Sequence, residues 1–140
     1  MNIKALTIEF YTQYKDCNEI LHKENRPYFF LTLEIDGLMY AIPFRHHISH
    51  SYAFRTIENA GIDFSKAVVV IDESYISDIN VNIDSAEYKI LKRNENKIKV
   101  SFNRYIKQFK KALKNKHIPR NRNFIKFSAL QYFEEYLINK

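Results

Sequence analysis

The chain has 140 residues, which suits one domain with an ordinary hydrophobic core. Apolar residues make up 46% of it and only two Gly and three Pro occur, which argues against long flexible linkers. The net charge of +6 hides an asymmetry: residues 88–126 carry +13, with fourteen Lys or Arg and the single acid Glu95, and the remainder carries −7. A basic segment lacking the acids that normally intersperse a solvated helix face points to a polyanionic partner. No run approaches the roughly 18 uncharged apolar residues that a membrane helix needs. Met1-Asn2-Ile3-Lys4 lacks the apolar run of a signal peptide, and the lone Cys17 cannot close an internal disulfide. These features favour a cytoplasmic protein with one domain over residues 1–140.

Residues 3–7 alternate weakly and predict a short strand, and residues 8–14 suit a short helix. Residues 16–27 are polar, end in Arg26-Pro27 and read as a loop. Residues 28–35 are dense in aromatic and β-branched side chains, Asp36-Gly37 marks a tight turn, and residues 38–44 follow as a second strand, so a β-hairpin is expected. Residues 46–55 read as a loop rich in His, Ser and Tyr. Ala67-Val68-Val69-Val70-Ile71 predicts a buried strand, with Val81 and Ile83 as candidates for an edge strand.

Asp84-Ser85-Ala86-Glu87 has the spacing of a capping box, with Asp or Ser as the cap. Apolar residues then recur at Tyr88, Leu91, Ile98, Phe102, Tyr105, Ile106, Phe109 and Leu113. This predicts two helical pieces, because Arg93-Asn94-Glu95-Asn96 is a poor helix interior. The second piece places Lys107, Lys110, Lys111 and Lys114 largely away from the apolar stripe. Residues 117–123 contain Pro119 and read as a loop. Ser128-Ala129-Leu130-Gln131 is a second capping box and should open a last helix to Leu137. The expected class is α+β, a small sheet with helices packed on it.

The second hairpin strand runs into Ile42-Pro43-Phe44-Arg45-His46-His47-Ile48-Ser49-His50, the densest reactive cluster in the chain. Cleavage of RNA without metal needs a base for the ribose 2′-hydroxyl, an acid for the leaving oxygen and a cation for the phosphorane. His serves as base or acid, and Arg grips phosphate through two donors. A His-rich solvated loop weighs as much as catalysis on this cluster alone. Zinc ranks well below both, since His46, His47 and His50 lack a Cys pair or a suitably spaced carboxylate. Asp72, Glu73, Asp78 and Asp84 could hold Mg²⁺, but acids in a region of turns mostly solubilise and cap. Nothing near Cys17 in sequence would activate it as a nucleophile.

Antiparallel pairing brings Arg26, ahead of the first hairpin strand, towards the Arg45 end of the second. The stretch His117-Ile118-Pro119-Arg120-Asn121-Arg122-Asn123 interleaves cations with amides, which suits phosphate and base-edge contacts. The candidate catalytic set is Arg26, Arg45, His46 and His47. The candidate RNA contacts are Tyr28, His50, Lys107, Lys110, Lys111, Lys114, Lys116, Arg120, Arg122 and Lys126. No cofactor and no metal are expected.

The runs Arg26-Pro27-Tyr28, Leu33-Glu34-Ile35-Asp36-Gly37 and Tyr40-Ala41-Ile42-Pro43-Phe44-Arg45 resemble the front half of the toxins of type III toxin–antitoxin systems. The spacing on to His47, Ile48, His50 and Ala53-Phe54 resembles most the TenpN and CptN branches, relatives of ToxN and AbiQ. Lys66-Ala67-Val68-Val69-Val70 and Lys126-Phe127-Ser128-Ala129-Leu130-Gln131-Tyr132-Phe133 extend the resemblance over nearly the whole chain. It implies a compact MazF/Kid-like small β-barrel or strongly bent antiparallel sheet with added helices, including a long basic helical region and a C-terminal helix. It implies a metal-independent endoribonuclease toxin that cuts cellular RNA to a 2′,3′-cyclic phosphate, often in phage defence. The implied partner is an antitoxin RNA of pseudoknot repeats, which the toxin trims and which inhibits it in a closed cyclic protein–RNA assembly.

In the ToxN branch a Lys ahead of the first hairpin strand contributes to the site, and Arg26 stands at the matching position. After the strand's Pro that branch has Thr-Ser, then a Lys, where this chain has Arg45 and His46, then Ile48. The alternative reading is a non-catalytic RNA-binding module using the same basic helix and aromatic residues. A DNA-binding regulator ranks below both, since no helix-turn-helix with a separate recognition helix is legible.

Overall fold

The computed structural model describes residues 2–22, 29–79 and 81–138. The elements in chain order are β1 (Asn2–Lys4), α1 (Ile8–Gln13), β2 (Phe30–Ile35), β3 (Leu38–Arg45), β4 (Ala53–Arg55), β5 (Gly61–Asp63), β6 (Val68–Val70), α2 (Ser85–Arg93), α3 (Glu95–Lys114), α4 (Pro119–Lys126) and α5 (Glu134–Leu137). The class is α+β, as expected. All strand pairs are antiparallel, and the six-stranded sheet ends at β1 and β4 without closing into a barrel.

The long strand β3 organises the sheet. One edge pairs with all of β2; the other pairs first with β6, at Met39, Tyr40 and Ala41, and then with β5, at Phe44 and Arg45. Pro43 falls where the partner changes from β6 to β5. The Phe44 N–H points to the Phe29 carbonyl at 2.7 Å, so the Pro43 nitrogen faces the opposite edge, in the gap between the two shorter strands. A residue without an N–H costs least there. The expected hairpin turn is present, with positive φ at both central residues, 52° at Asp36 and 81° at Gly37, the signature of the turn that matches strand twist.

The apolar face of α3 covers the sheet: Ile98, Phe102, Tyr105, Ile106 and Phe109 are all buried. Phe102 meets Tyr40 of β3 edge-on at 5.2 Å and Phe64 at 5.3 Å. Removing a buried ring of this kind costs about 3–5 kcal/mol. The helix break falls at Asn94, which ends α2 and begins α3, and its amide donates to the Ile90 carbonyl at 2.7 Å.

Four expectations need correction. Val81 and Ile83 form no edge strand; Ile83 packs singly against the core and Asp84 caps α2 immediately after it, accepting from the Ala86 and Glu87 N–H groups. The loop expected over residues 117–123 is largely helix α4, because Pro119 occupies its first turn, where its missing N–H removes no helical bond. The last helix begins as a tight 3₁₀ turn at Ala129–Phe133, capped by Ser128, and becomes α-helical only at Glu134. Strands β4 and β5 add a second hairpin within and beyond the loop expected over residues 46–55. Among the described residues no helix is long and apolar enough to cross a membrane.

Buried phenols give the fold an alkaline limit. Burial pushes the hydroxyls of Tyr14 and Tyr40 up from 10.0 to about 12. Native structure thus retains protons that the unfolded chain has lost. The contribution is complete below pH 10 and disappears as pH rises towards 12. Circular dichroism followed with phenolate absorbance should register cooperative unfolding in that interval. Smooth ionisation of all ten tyrosines with secondary structure intact at pH 12 would contradict this.

Candidate functional site

Strand β5 delivers a carboxylate into the protein interior. Asp63 is 0% exposed and lies between the buried Ile62 and Phe64. An ion in such a place needs donors around it. Its Oδ1 accepts from the Ser65 N–H at 2.9 Å and the Ser65 hydroxyl at 2.6 Å; its Oδ2 accepts from the Arg45 guanidinium at 2.8 Å. His50 Nε2 lies 3.2 Å from Oδ1 and 3.3 Å from Oδ2, and 3.3 Å from Ser65 Oγ.

The pairing of β3 with β5 explains the meeting. Arg45 lies opposite Gly61 and Phe44 opposite Ile62, so the antiparallel register carries Asp63 back level with Pro43, one diagonal step from Arg45 on the same face of the sheet.

The other side of His50 fixes its tautomer. The backbone N–H of Tyr52 donates to His50 Nδ1 at 3.1 Å. A backbone amide can only donate, so Nδ1 is the acceptor and the ring proton resides on Nε2, directed at Asp63; this assignment follows from the bonding network. The loop carrying His50 is itself anchored. Ile48 is 2% exposed, and the Arg55 guanidinium donates to the carbonyls of Ile48 and His50 at 3.0 and 2.7 Å.

The strand end divides the candidate catalytic residues. Arg45 meets Asp63, whereas His46 lies against Phe44, with ring centroids 6.0 Å apart, and near Glu87 of α2. Burial pushes the Glu87 carboxyl up, and the adjacent His46 imidazole pulls it partly back. His47 is exposed. Arg26 and Tyr28 lie outside the described residues.

Beside the Asp63 cluster is a cleft of about 290 Å³ lined by Tyr52, Ser65, Tyr105, Arg120, Asn123, Phe124 and Phe127. Its apolar wall is an aromatic assembly: Phe124 lies 5.1 Å from Tyr52 and 5.4 Å from Tyr105. Tyr105 is held by a 2.7 Å hydrogen bond to Ser128, the residue that caps the following turn. Phe127 is 64% exposed at the rim, with the Lys126 ammonium 5.8 Å from its ring centroid. Ser65 belongs both to this cleft and to the Asp63 cluster. The arrangement can stack a planar ring and set an anion against Arg120, with Arg45 linked to the cleft through Asp63 and Ser65.

Asp63, Ser65, Tyr52, Phe124 and Phe127 were missed as functional residues in the sequence reading. Two signals could have found them. Asp63 is a lone acid between Ile62 and Phe64, and Phe124 and Phe127 are aromatics interleaved with the cations Arg120, Arg122 and Lys126.

The candidate RNA contacts divide by engagement. Lys107, Lys111 and Lys114 are exposed on α3, and Lys110 is partly buried there. Lys116 pairs with Glu134 at 3.0 Å. Arg122 donates to the carbonyls of Lys116 and His117, holding the turn between α3 and α4. Replacing Lys107, Lys110, Lys111 and Lys114 with Gln should weaken RNA binding and flatten its log–log salt dependence by up to about three units, since each contact to single-stranded RNA contributes roughly 0.7. An unchanged salt slope in filter binding would remove α3 from the RNA interface.

Among the described residues no group of three or more His, Cys, Asp or Glu side chains could hold a metal ion. Asp72 and Asp84 instead cap turns, accepting from the N–H groups of Ser74 and of Ala86 and Glu87. Comparison with protein-family models, curated proteins and solved structures found no match to this chain.

Proposed function

We propose that the protein is an endoribonuclease toxin of the type III kind, which cuts RNA by attack of a ribose 2′-hydroxyl on the adjacent phosphate. The observation that carries this reading is the junction of an aromatic cleft with a buried carboxylate that holds Arg45, all beside the +13 segment. An unpaired base stacks on the wall formed by Tyr52, Phe124 and Phe127. Its phosphate meets Arg45 and Arg120, and the basic helices hold the flanking backbone. Arg45 offsets the charge of the phosphorane, while His46, His47 and Arg26 remain the candidates to assist at the reacting atoms. In this reading β3, with β2 on one edge and β6 and β5 on the other, corresponds to part of an opened MazF/Kid-like sheet. Repeats of a pseudoknot antitoxin RNA occupy the cleft and basic face of successive toxin molecules and close them into a ring in the bacterial cytoplasm.

A second reading, a non-catalytic RNA-binding module, is favoured by one feature. His50 has both ring nitrogens engaged, and Arg45 and His46 turn to different surroundings, so no described His projects unengaged into the cleft.

One experiment separates the two. Purified protein incubated with RNA in EDTA should leave 2′,3′-cyclic phosphate and 5′-hydroxyl ends. Phe127→Ala, made at an exposed site, should keep the melting temperature and lose about 1–3 kcal/mol of RNA affinity. Binding without any cleavage would establish the module. Cleavage that returns only with Mg²⁺ or Zn²⁺ would overturn the metal-free chemistry. Short tandem repeats followed by a terminator in the DNA just upstream would support the antitoxin.

A further inference from the structure

We infer that Asp63 is the positioning residue of this site: it aims Arg45 at the RNA phosphate and holds the His50 ring in place beside the cleft. The inference deepens the endoribonuclease reading and rests on it for its kinetic consequence.

The geometry requires a role of this kind. Asp63 is completely buried, and both of its oxygens are taken up: Oδ1 by Ser65, which lines the cleft, and Oδ2 by Arg45. Arg45 has five N–H donors in a rigid fork. One nitrogen, Nη1, bonds to Asp63 at 2.8 Å, yet the side chain remains 32% exposed, so one guanidinium is held by the carboxylate and still open to a phosphate. Without the anchor, a long and flexible side chain would sample many rotamers at the end of β3. Misplacement of a reacting group by about 1 Å can lower a rate about 10²-fold.

His50 is controlled from two directions, by the Tyr52 N–H on Nδ1 and by Asp63 at Nε2. Ser65 completes the arrangement. Its hydroxyl donates to Asp63 and lies 3.3 Å from His50 Nε2, and the residue also lines the cleft, so it links the carboxylate and the imidazole to the aromatic wall.

Asp63 also offsets part of the positive charge of Arg45. The two effects therefore have opposite consequences for binding and for rate. Removing the charge while preserving the shape should leave attraction for phosphate unchanged or stronger, while the guanidinium loses its aim. A residue that merely supports the fold would weaken both together.

The test is Asp63→Asn in the full-length protein. Affinity is measured on an uncleavable 2′-deoxy-substituted oligonucleotide and rate on its cleavable counterpart, with imidazole NMR reporting the His50 Nε2–H hydrogen bond. The expected result is a fall in kcat of about 10²-fold, affinity equal to the parent's or tighter, and a shifted His50 Nε2–H signal as its carboxylate partner is lost, with Nδ1 still accepting from the Tyr52 N–H. Ser65→Ala, a milder change at the same oxygen, should give a smaller fall of the same kind. The inference is overturned if Asp63→Asn cleaves as fast as an active parent. It is equally overturned if rate and affinity fall in parallel with thermal stability while the His50 Nε2–H signal is unchanged. A parent that cleaves no RNA defeats the endoribonuclease reading instead, and the His50 spectrum and RNA affinity of Asp63→Asn then decide the positioning role by themselves.

Discussion

Gly61→Ala is expected to unfold the β4–β5 corner and to abolish RNA cleavage, at a cost above about 3 kcal/mol. Gly61 opens β5 and lies opposite both Arg45 and Arg55. A Cβ at this position would sit 2.1 Å from the Phe54 carbonyl oxygen, 2.8 Å from the Arg55 Cα and 3.0 Å from the Phe54 carbonyl carbon. These are backbone atoms, so no rotamer change relieves the overlap, and the two strands must separate. Separation displaces Asp63, two residues further on, and with it the anchor of Arg45 and His50. Gly37→Ala provides the comparison: φ there is 81°, and the cost of a left-handed alanine is about 1–2 kcal/mol with no consequence for the cleft. Thermal melts and cleavage assays on both variants test the contrast. A Gly61→Ala protein melting with the parent and cutting RNA at the parent's rate would mean that the corner tolerates the methyl group and that its backbone geometry does not control the site.

The same corner marks where sequence reading loses its power. The β2–β3 hairpin was legible because its signals are local: two apolar runs flank Asp36-Gly37, and the turn takes positive φ at both residues. The stripe of Ile98, Phe102, Tyr105, Ile106 and Phe109 was legible for the same reason, since burial with helical period needs no knowledge of the partner. Strands β4 and β5 have only three residues each, too few to show a period, and they exist because β3 offers them an edge past Pro43. Helix α4 was hidden by Pro119, which breaks a helix interior but suits a first turn; the same letter carries both meanings.

The site follows that division. Arg45 and the cationic helix could be named from chemistry and charge, because those properties belong to single residues. Asp63 could not be paired with Arg45, eighteen positions away, until β3 and β5 were known to be neighbours. Tyr52 and Phe124, seventy-two positions apart, form one wall only after α4 returns over Tyr105. The exposed His-rich loop was half right: His46 and His47 are exposed, whereas Ile48 is core and His50 is bonded on both sides.

Arg45→Ala is expected to lower cleavage by about 10²–10³-fold, the range seen when a preorganised donor to a developing oxyanion is removed. It should also destabilise the protein by about 1–3 kcal/mol, because the buried Asp63 carboxylate loses a charged donor at 2.8 Å. The two losses have different origins and can be separated. In Arg45→Ala/Asp63→Asn the orphaned charge is gone, so much of the stability should return, while the rate should remain low because no guanidinium faces the phosphate. Arg45→Lys keeps the positive charge but replaces the planar fork with a single ammonium, which cannot bond the carboxylate and a phosphate in the same fixed geometry. Its affinity for RNA should stay near the parent's and its rate should fall between those of the parent and Arg45→Ala. Melting temperatures, binding to an uncleavable oligonucleotide and single-turnover cleavage supply the three readouts. If Arg45→Ala cuts RNA within about threefold of the parent, phosphate is not bound at the end of β3, and the chemistry belongs to another part of the basic surface.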